Sequence, residues 1–147
     1  MRILFVLFMM LAILASVASL IPYQKHDTQH AEAMAENWMT YRNAVVQYAE
    51  NNPGALPASI PQASLSLPPG YTALASWQNQ TSGRTLYIYG AAGMDSQAVI
   101  LDALGVSDAA TGYANAGQWY SPKYGNLGVA APAYVTNGDL LSIVTVQ

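Results

Sequence analysis

The sequence contains no cysteine and few charged residues, and both shortages exclude classes of function. Without cysteine the chain forms neither a disulfide nor a metal site with thiolate ligands, and it has no lipoprotein anchor. Charged residues make up 9% of the 147 residues, whereas soluble domains typically contain about 25%. The net charge of −3 argues against a nucleic-acid partner, because such a partner requires a basic surface.

Recognised catalytic motifs are also missing. The chain has no nucleophile elbow, phosphate-binding loop, dinucleotide fingerprint or zinc-protease helix. His26 and His30 are four residues apart and could face one metal ion, but no third ligand is placed beside them, so we interpret them as solvated. The chain therefore predicts no enzyme, no metal site and no cofactor. The remaining candidate acids, which no spacing pairs as acid and base, are Asp95, Asp102, Asp108 and Asp139.

The longest apolar run lies at the N-terminus, where the 19 residues Ile3–Ile21 carry no charge. As a helix this run would extend about 28 Å, close to the thickness of the hydrocarbon core of a bilayer. We predict a single-pass anchor over residues 1–22, with the amino terminus and Arg2 inside and the rest of the chain in the periplasm. The alternative is a cleaved signal peptide, which is disfavoured because apolar residues continue past the small residues of Val17–Ser19. The large apolar side chains of the predicted anchor are Ile3, Leu4, Phe5, Leu7, Phe8, Leu11, Leu14, Leu20 and Ile21.

Residues 23–52 predict an amphipathic helix that ends at Asn51–Gly54. Apolar residues recur at alternating intervals of three and four and form one stripe. The stripe either packs on the protein's own sheet or forms a seam with a partner helix, and we favour the first because fewer than three heptads are present. Its members are Ala31, Met34, Trp38, Tyr41, Val45 and Tyr48, and the opposite face carries Glu32, Glu36, Asn43, Gln47 and Glu50.

Residues 53–147 predict one domain that begins with a linker over 53–70 containing five prolines. Asn137-Gly138 predicts a second hairpin, because both positions accept positive φ, and Pro132 places the first strand of that hairpin at a sheet edge. A helix followed by strands gives an α+β fold, with the helix on a small antiparallel sheet. The predicted elements are a hairpin of Tyr71–Trp77 and Arg84–Tyr89, a short helix Gln97–Leu104 capped by Asp95 or Ser96, an irregular segment Ser107–Gly128 interrupted by a strand at Trp119-Tyr120, and a hairpin of Val129–Val135 and Leu140–Val146.

The order of these elements resembles the layout of type IV pilins, although no glutamate interrupts the apolar run and the leader is only Met1-Arg2. Over its full length the chain resembles the PilM family of plasmid-type thin pili, which is distinct from the actin-like protein of the same name. The resemblance rests on the size, the apolar head, the helix end AENWMTYRNAVVQYAENNPG and the tail GDLLSIVTVQ. It implies an inner-membrane component of the thin-pilus assembly or pilin transport apparatus, used in conjugation, and it implies no catalytic residue.

We therefore expect a structural protein that acts by contacts with other pilus-assembly membrane proteins and pilins, and with the bilayer. The alternatives are a minor pilin in the fibre, and a secreted glycan-binding or enzymatic domain with a cleaved signal peptide. In the second alternative Trp77 or Trp119 would bind sugar rather than fill the core. The candidate interface consists of Met34, Trp38, Tyr41, Val45 and Tyr48, if that stripe is exposed, and of the edge at Pro132.

Overall fold

The computed structural model describes residues 29–54, 56–93, 100–102, 104 and 110–146. Over these residues one long helix, α1 (29–51), covers one face of a six-stranded antiparallel sheet. The predicted α+β class is thereby confirmed. The strands are β1 (Gln78–Ser82), β2 (Thr85–Gly90), β3 (Thr111–Asn115), β4 (Gln118–Ser121), β5 (Gly125–Ala130) and β6 (Leu140–Thr145).

The last strand of the chain lies in the middle of the sheet. The spatial order is β1-β2-β6-β3-β4-β5, so β6 pairs with β2 on one side and with β3 on the other. Leu140, Leu141 and Ser142 of β6 are completely buried, because both edges of this strand are paired and both faces of the sheet are covered. The C-terminal residues therefore join the two halves of the sheet.

The predicted apolar stripe of α1 forms the main core against the sheet. Trp38 is fully buried and its ring meets that of Trp77 edge-on, with the ring centroids 5.0 Å apart. Leu86 and Ile88 of β2 belong to the same cluster. The predicted outer face of the helix is confirmed, since Glu32, Glu36, Asn43, Gln47 and Glu50 are all exposed.

A second, smaller core covers the opposite face of the sheet. Here Tyr89, Trp119 and Leu141 pack against Val135 from the segment 131–139 that connects β5 to β6. Both faces of the central strands are therefore shielded from water, although the helix covers only one of them.

The first hairpin is shifted from its predicted position. Its first strand is β1, which occupies the residues expected to be the turn, whereas the segment 71–77 is not a strand. Gly83 has φ +59°, and it lies at the first position of the two-residue turn, where a type II′ turn requires glycine. Asn37 of α1 instead binds the 71–77 segment, because its Oδ1 accepts hydrogen bonds from the Leu74 amide at 3.0 Å and from Trp77 Nε1 at 2.7 Å.

The predicted C-terminal hairpin is wrong, because β5 and β6 are separated by β3 and β4. Asn137-Gly138 does form a turn, but the turn docks on the β3–β4 hairpin. Asn137 Oδ1 accepts a hydrogen bond of 2.7 Å from the Ala116 amide, and the Gly138 amide donates to the Ala114 carbonyl oxygen at 2.8 Å. The position of the turn was therefore predicted correctly. Its backbone geometry was not, because Gly138 has positive φ (+95°) and Asn137 does not, and the predicted strand pairing is also wrong.

The segment predicted to be irregular, Ser107–Gly128, contains β3 and β4, and the predicted strand at Trp119-Tyr120 is part of β4. Ala116 and Gly117 turn the chain between them with φ of +48° and +73°, as a type I′ turn requires. Of the predicted short helix, residues 100–102 are helical and Ile100 is buried. Its predicted caps Asp95 and Ser96 lie outside the described residues.

Candidate functional site

The outer edge of β1 is covered by residues 53–70, the proline-rich segment that was predicted to be a linker. The amide of Thr81 donates a hydrogen bond of 2.9 Å to the Ala58 carbonyl oxygen, and the Thr81 hydroxyl donates to Pro57 at 2.5 Å. Ile60 of the same segment is buried in the main core. The segment predicted to be a linker contains a short 3-10 helix over Gln62–Ser64. It also shields one edge of the sheet from other strands.

Asn79 holds this cover in place from inside β1. Its Oδ1 accepts a hydrogen bond of 2.7 Å from the Ile60 amide, and its Nδ2 donates to the Ile60 carbonyl oxygen at 3.0 Å and to the Tyr41 hydroxyl at 2.7 Å. The side chain is buried, so all of its hydrogen-bonding groups need partners within the protein. One amide thus joins α1, β1 and the proline-rich segment.

The opposite edge, β5, has no neighbouring strand on its outer side within the described part of the chain. Five of its six residues are exposed, and Val129 is 41% exposed. Tyr124, which immediately precedes the strand, is 57% exposed and its ring lies 5.1 Å from Lys123 Nζ. This open edge therefore combines unpaired backbone groups with large apolar side chains, the composition of a protein-binding surface.

The edge of β5 is bent rather than flat. Gly128 has φ +69°, its amide donates a hydrogen bond of 2.8 Å to Asn126 Oδ1, and the pairing with β4 shifts register between Gln118 and Tyr120. A bulge of this kind twists a strand locally and limits the length over which another strand can pair with it. Any strand that adds to this edge is therefore short.

The stripe of α1 does not provide the exposed interface that was considered for it. Met34, Trp38, Tyr41 and Val45 are buried against the protein's own sheet, and Tyr48 is half-buried. This corrects the hypothesis of a partner helix, because the sheet of the same chain already covers the stripe. Pro132 is half-buried and lies in the segment 131–139, two residues beyond the end of β5, so it follows the open edge of the sheet but does not belong to it.

The two tryptophans considered for sugar binding are also buried. Trp77 packs against Trp38 and donates to Asn37, and Trp119 donates a hydrogen bond of 3.2 Å to the Leu141 carbonyl oxygen. Neither indole is free to stack on a ligand. These two rings are core residues.

The predicted titratable candidates form no cluster within the described ranges. His30 is exposed and His26 lies outside those ranges, and no group of three metal-ligating side chains occurs in the searched part of the chain. Asp139 is buried, and its Oδ2 accepts a hydrogen bond of 2.9 Å from the Thr136 amide, so it stabilises the turn before β6. Asp102 is exposed, while Asp95 and Asp108 lie outside the described residues.

Burial raises the pKa values of several tyrosines. Burial is the main cause at Tyr71, whose pKa rises to about 12, and the nearby Tyr41 adds to the rise. The pKa of Tyr41 is raised by burial although its hydrogen bond with Asn79 opposes the shift. These hydroxyls therefore stay protonated at neutral pH and act as neutral hydrogen-bonding groups.

The family model described as PilM matches residues 6–143 of this chain. The chain belongs to the PilM family. Two crystal structures are similar to this PilM-family chain, one of a protein named as PilM from Escherichia coli B7A and one of a protein named as pilM from Pseudomonas aeruginosa 2192. A comparison with curated proteins finds no match.

The E. coli structure shares 19% identity with a TM-score of 0.54, and the match covers 80% of this PilM-family chain and 93% of the other. At that identity the likeness establishes the fold and not the function. The P. aeruginosa structure shares 22% identity with a TM-score of 0.41, over 79% of this chain and 95% of the other.

The described part of this PilM-family chain contains no helix that is both long enough and apolar enough to span a bilayer. The predicted anchor Ile3–Ile21, with all of its apolar side chains, lies outside the described residues. The open edge at β5 was missed by sequence reasoning apart from the position of Pro132. Its sequence, Gly-Asn-Leu-Gly-Val-Ala, lacks the alternation that identifies a half-buried strand.

Proposed function

We propose that this chain is a non-catalytic component of the thin-pilus assembly apparatus that binds other proteins through the open edge of β5. The observation that supports the proposal is the difference between the two edges of the sheet. The proline-rich segment covers β1, whereas β5 has no cover in the described residues and presents Val129 and Tyr124 to solvent. An uncovered edge strand is a template for strand addition by a partner.

The backbone geometry supports strand addition at the end of β5. The Ala131 amide donates to the Gly117 carbonyl oxygen at 3.0 Å, so this amide faces β4. Because successive backbone groups of a strand alternate in direction, the Ala130 amide faces the open side. Neither proline nor a charged residue lies within Gly125–Ala130, so the strand lacks two devices that usually block such pairing.

We also propose that the segment Ile3–Ile21 anchors the chain in the inner membrane with the domain in the periplasm. The length of the uncharged run and the membership in the PilM family support this location. The partners would be other pilus-assembly membrane proteins and pilins, in an apparatus used for conjugation. Intact mass and fractionation of the native chain test the location, and a trimmed chain that is free in the periplasm would overturn it.

Variants of the edge test the proposed binding. Val129→Lys places a charge on the exposed edge, and Ala130→Pro removes the outward-facing amide. Gln47→Lys adds the same charge on the exposed face of α1 and serves as the matched control. In full-length chains expressed at equal levels, we expect both edge variants to lose thin pili, counted by electron microscopy, and the control to keep them. Normal piliation in both edge variants would overturn the proposed role of β5.

Photocrosslinking identifies what the edge touches. A photoreactive residue at Val129 should form an adduct with another pilus-assembly protein in intact cells, whereas the same residue at Gln47 should not. Recovery of the chain as a stoichiometric subunit of sheared filaments would instead favour the minor-pilin alternative.

A further inference from the structure

Three tyrosine rings form a corner on the sheet face opposite α1. Tyr134, from the segment 131–139, lies with its ring centroid 6.5 Å from that of Tyr87 at an interplanar angle of 88°, and 5.3 Å from that of Tyr89. Tyr134 is 42% exposed and Tyr87 is half-buried. The corner therefore presents aromatic surface to solvent at two nearly perpendicular orientations.

Two glutamines of β1 border this corner. In the β1–β2 register, Gln78 is paired with Tyr89 and Gln80 with Tyr87. The Tyr89 hydroxyl donates to Gln78 Oε1 at 3.1 Å and accepts from Gln80 Nε2 at 3.4 Å. Each side-chain amide therefore uses one of its two ends on Tyr89. Within the described chain, Gln78 Nε2 and Gln80 Oε1 have no protein partner, which leaves one donor and one acceptor beside the rings.

We propose that this corner, formed by Tyr87, Tyr134, Gln78 and Gln80, binds an uncharged N-acetylated saccharide. The exposed ring of Tyr134 offers apolar area on which the apolar face of a pyranose ring can stack, while the tyrosine hydroxyl can remain hydrogen-bonded. An acetamido group carries one N–H donor and one carbonyl acceptor, which complements Gln80 Oε1 and Gln78 Nε2.

The charge of the corner favours this ligand class over a charged peptide. All four side chains of the corner are uncharged. The charge of the Asp139 carboxylate reaches the corner, because it contributes to raising the pKa of Tyr89. This carboxylate is buried, however, and it is bonded to the Thr136 amide. Binding would therefore depend on stacking and hydrogen bonds, so its affinity should change little with salt concentration.

Calorimetric titration of the full-length chain with triacetylchitotriose tests the proposal, and maltotriose serves as a saccharide that lacks acetamido groups. We expect triacetylchitotriose to bind more tightly than maltotriose. Tyr134→Ala should weaken that binding at least about tenfold, whereas Leu74→Ala, which removes a large exposed side chain beside α1, should not change it. Tyr134→Phe keeps the ring and should bind within about threefold of the natural chain.

The glutamines provide a second, independent measurement. Gln78→Glu replaces the free donor with an acceptor and should abolish the preference for triacetylchitotriose, whereas Gln80→Glu keeps an acceptor and should retain it. Absence of saccharide binding to the natural chain, equal binding of the two saccharides, or equal effects of Tyr134→Ala and Leu74→Ala would each overturn the proposal. Protein adducts at Tyr134 in place of saccharide binding would assign the corner to a protein partner and overturn it as well.

Discussion

The hydroxyl of Tyr41 accepts a hydrogen bond of 2.7 Å from Asn79 Nδ2, and this contact joins the long helix to the outermost strand β1. The same Asn79 amide bonds both backbone groups of Ile60. Because the proline-rich segment is thereby held along β1, only β5 remains as an uncovered edge in the described sheet. A buried amide thus helps, together with the bonds of Thr81, to keep the edge of β1 covered.

Replacement of Asn79 should destabilise the protein. Asn79→Ala leaves the Ile60 amide and carbonyl and the Tyr41 hydroxyl without their partner, and we expect a loss of about 2–3 kcal/mol in the free energy of unfolding. Urea denaturation of the full-length chain measures the loss. Gln47→Ala on the exposed face of α1 is the control, expected to lie within about 0.5 kcal/mol of the natural chain. Equal effects of the two substitutions would show that the bonds of Asn79 contribute little.

The buried stripe of α1 should contribute to folding rather than to partner binding. Val45→Ala removes two methyl groups from a fully buried position and should cost about 2 kcal/mol of stability. The protein without any partner should show the whole loss in a denaturant titration. If Val45→Ala left stability unchanged but abolished pilus assembly, the stripe would be an interface after all.

The β3–β4 turn contains a residue in an unfavourable conformation. Ala116 has φ +48°, which costs an L-residue with a Cβ atom about 1 kcal/mol, a cost that glycine does not bear. Ala116→Gly should therefore raise the free energy of unfolding by up to about 1 kcal/mol, measured as a shift in the urea midpoint. Gly117→Ala, at φ +73°, should shift the midpoint in the opposite direction. A lower midpoint for Ala116→Gly would contradict the left-handed geometry of the turn.

Gly112 allows β3 and β4 to pack closely. A Cβ atom at Gly112 would collide with the Tyr120 carbonyl oxygen and lie 2.9 Å from Trp119 Nε1. Gly112→Ala should therefore destabilise the protein by about 3 kcal/mol or prevent folding. Gly54→Ala is the matched control, since nothing lies within 4 Å of its added Cβ atom. Thermal unfolding compares the two variants, and indistinguishable melting temperatures would refute the close contact.

Alkaline pH should destabilise the fold through Tyr71. Its pKa is raised from the usual value of 10.0 to about 12, mainly by burial. Below pH 10 the hydroxyl is protonated in both the folded and the unfolded states, so the stability does not depend on it. Between pH 10 and about 12 the unfolded state loses the proton first, so stability falls as the pH rises. Tyr71→Phe should reduce that slope in denaturant titrations repeated across this range, and an unchanged slope would show that Tyr71 does not contribute.

Some elements could be predicted because they depend on neighbouring residues of the chain. The alternating three- and four-residue spacing from Ala31 to Tyr48 predicted both the buried and the exposed faces of α1, since those faces follow from the helical repeat. The turn at Asn137-Gly138 was found for the same reason. The docking of this turn on the β3–β4 hairpin was not predicted, because Ala114 and Ala116, which bind the turn, lie more than 20 residues earlier in the chain.

The shift of the first hairpin shows how a tertiary contact overrides a local pattern. The segment 71–77 has apolar and aromatic residues suited to a strand, but Asn37 binds its backbone and the indole of Trp77, while the polar residues of β1 pair with β2. Asn79 can lie within a strand because the core supplies partners for its amide. No pattern within β1 indicates those partners.

The sequence by itself determined the composition, the apolar N-terminal run, the amphipathic helix and the turn at Asn137-Gly138, because these depend on residues that are close along the chain. Only the tertiary structure decided the strand order, the central place of β6, the covering of β1 and the open edge at β5. These depend on which distant segments meet, and a strand's pairing partner is set by packing and hydrogen bonds across the whole domain rather than by its own residues.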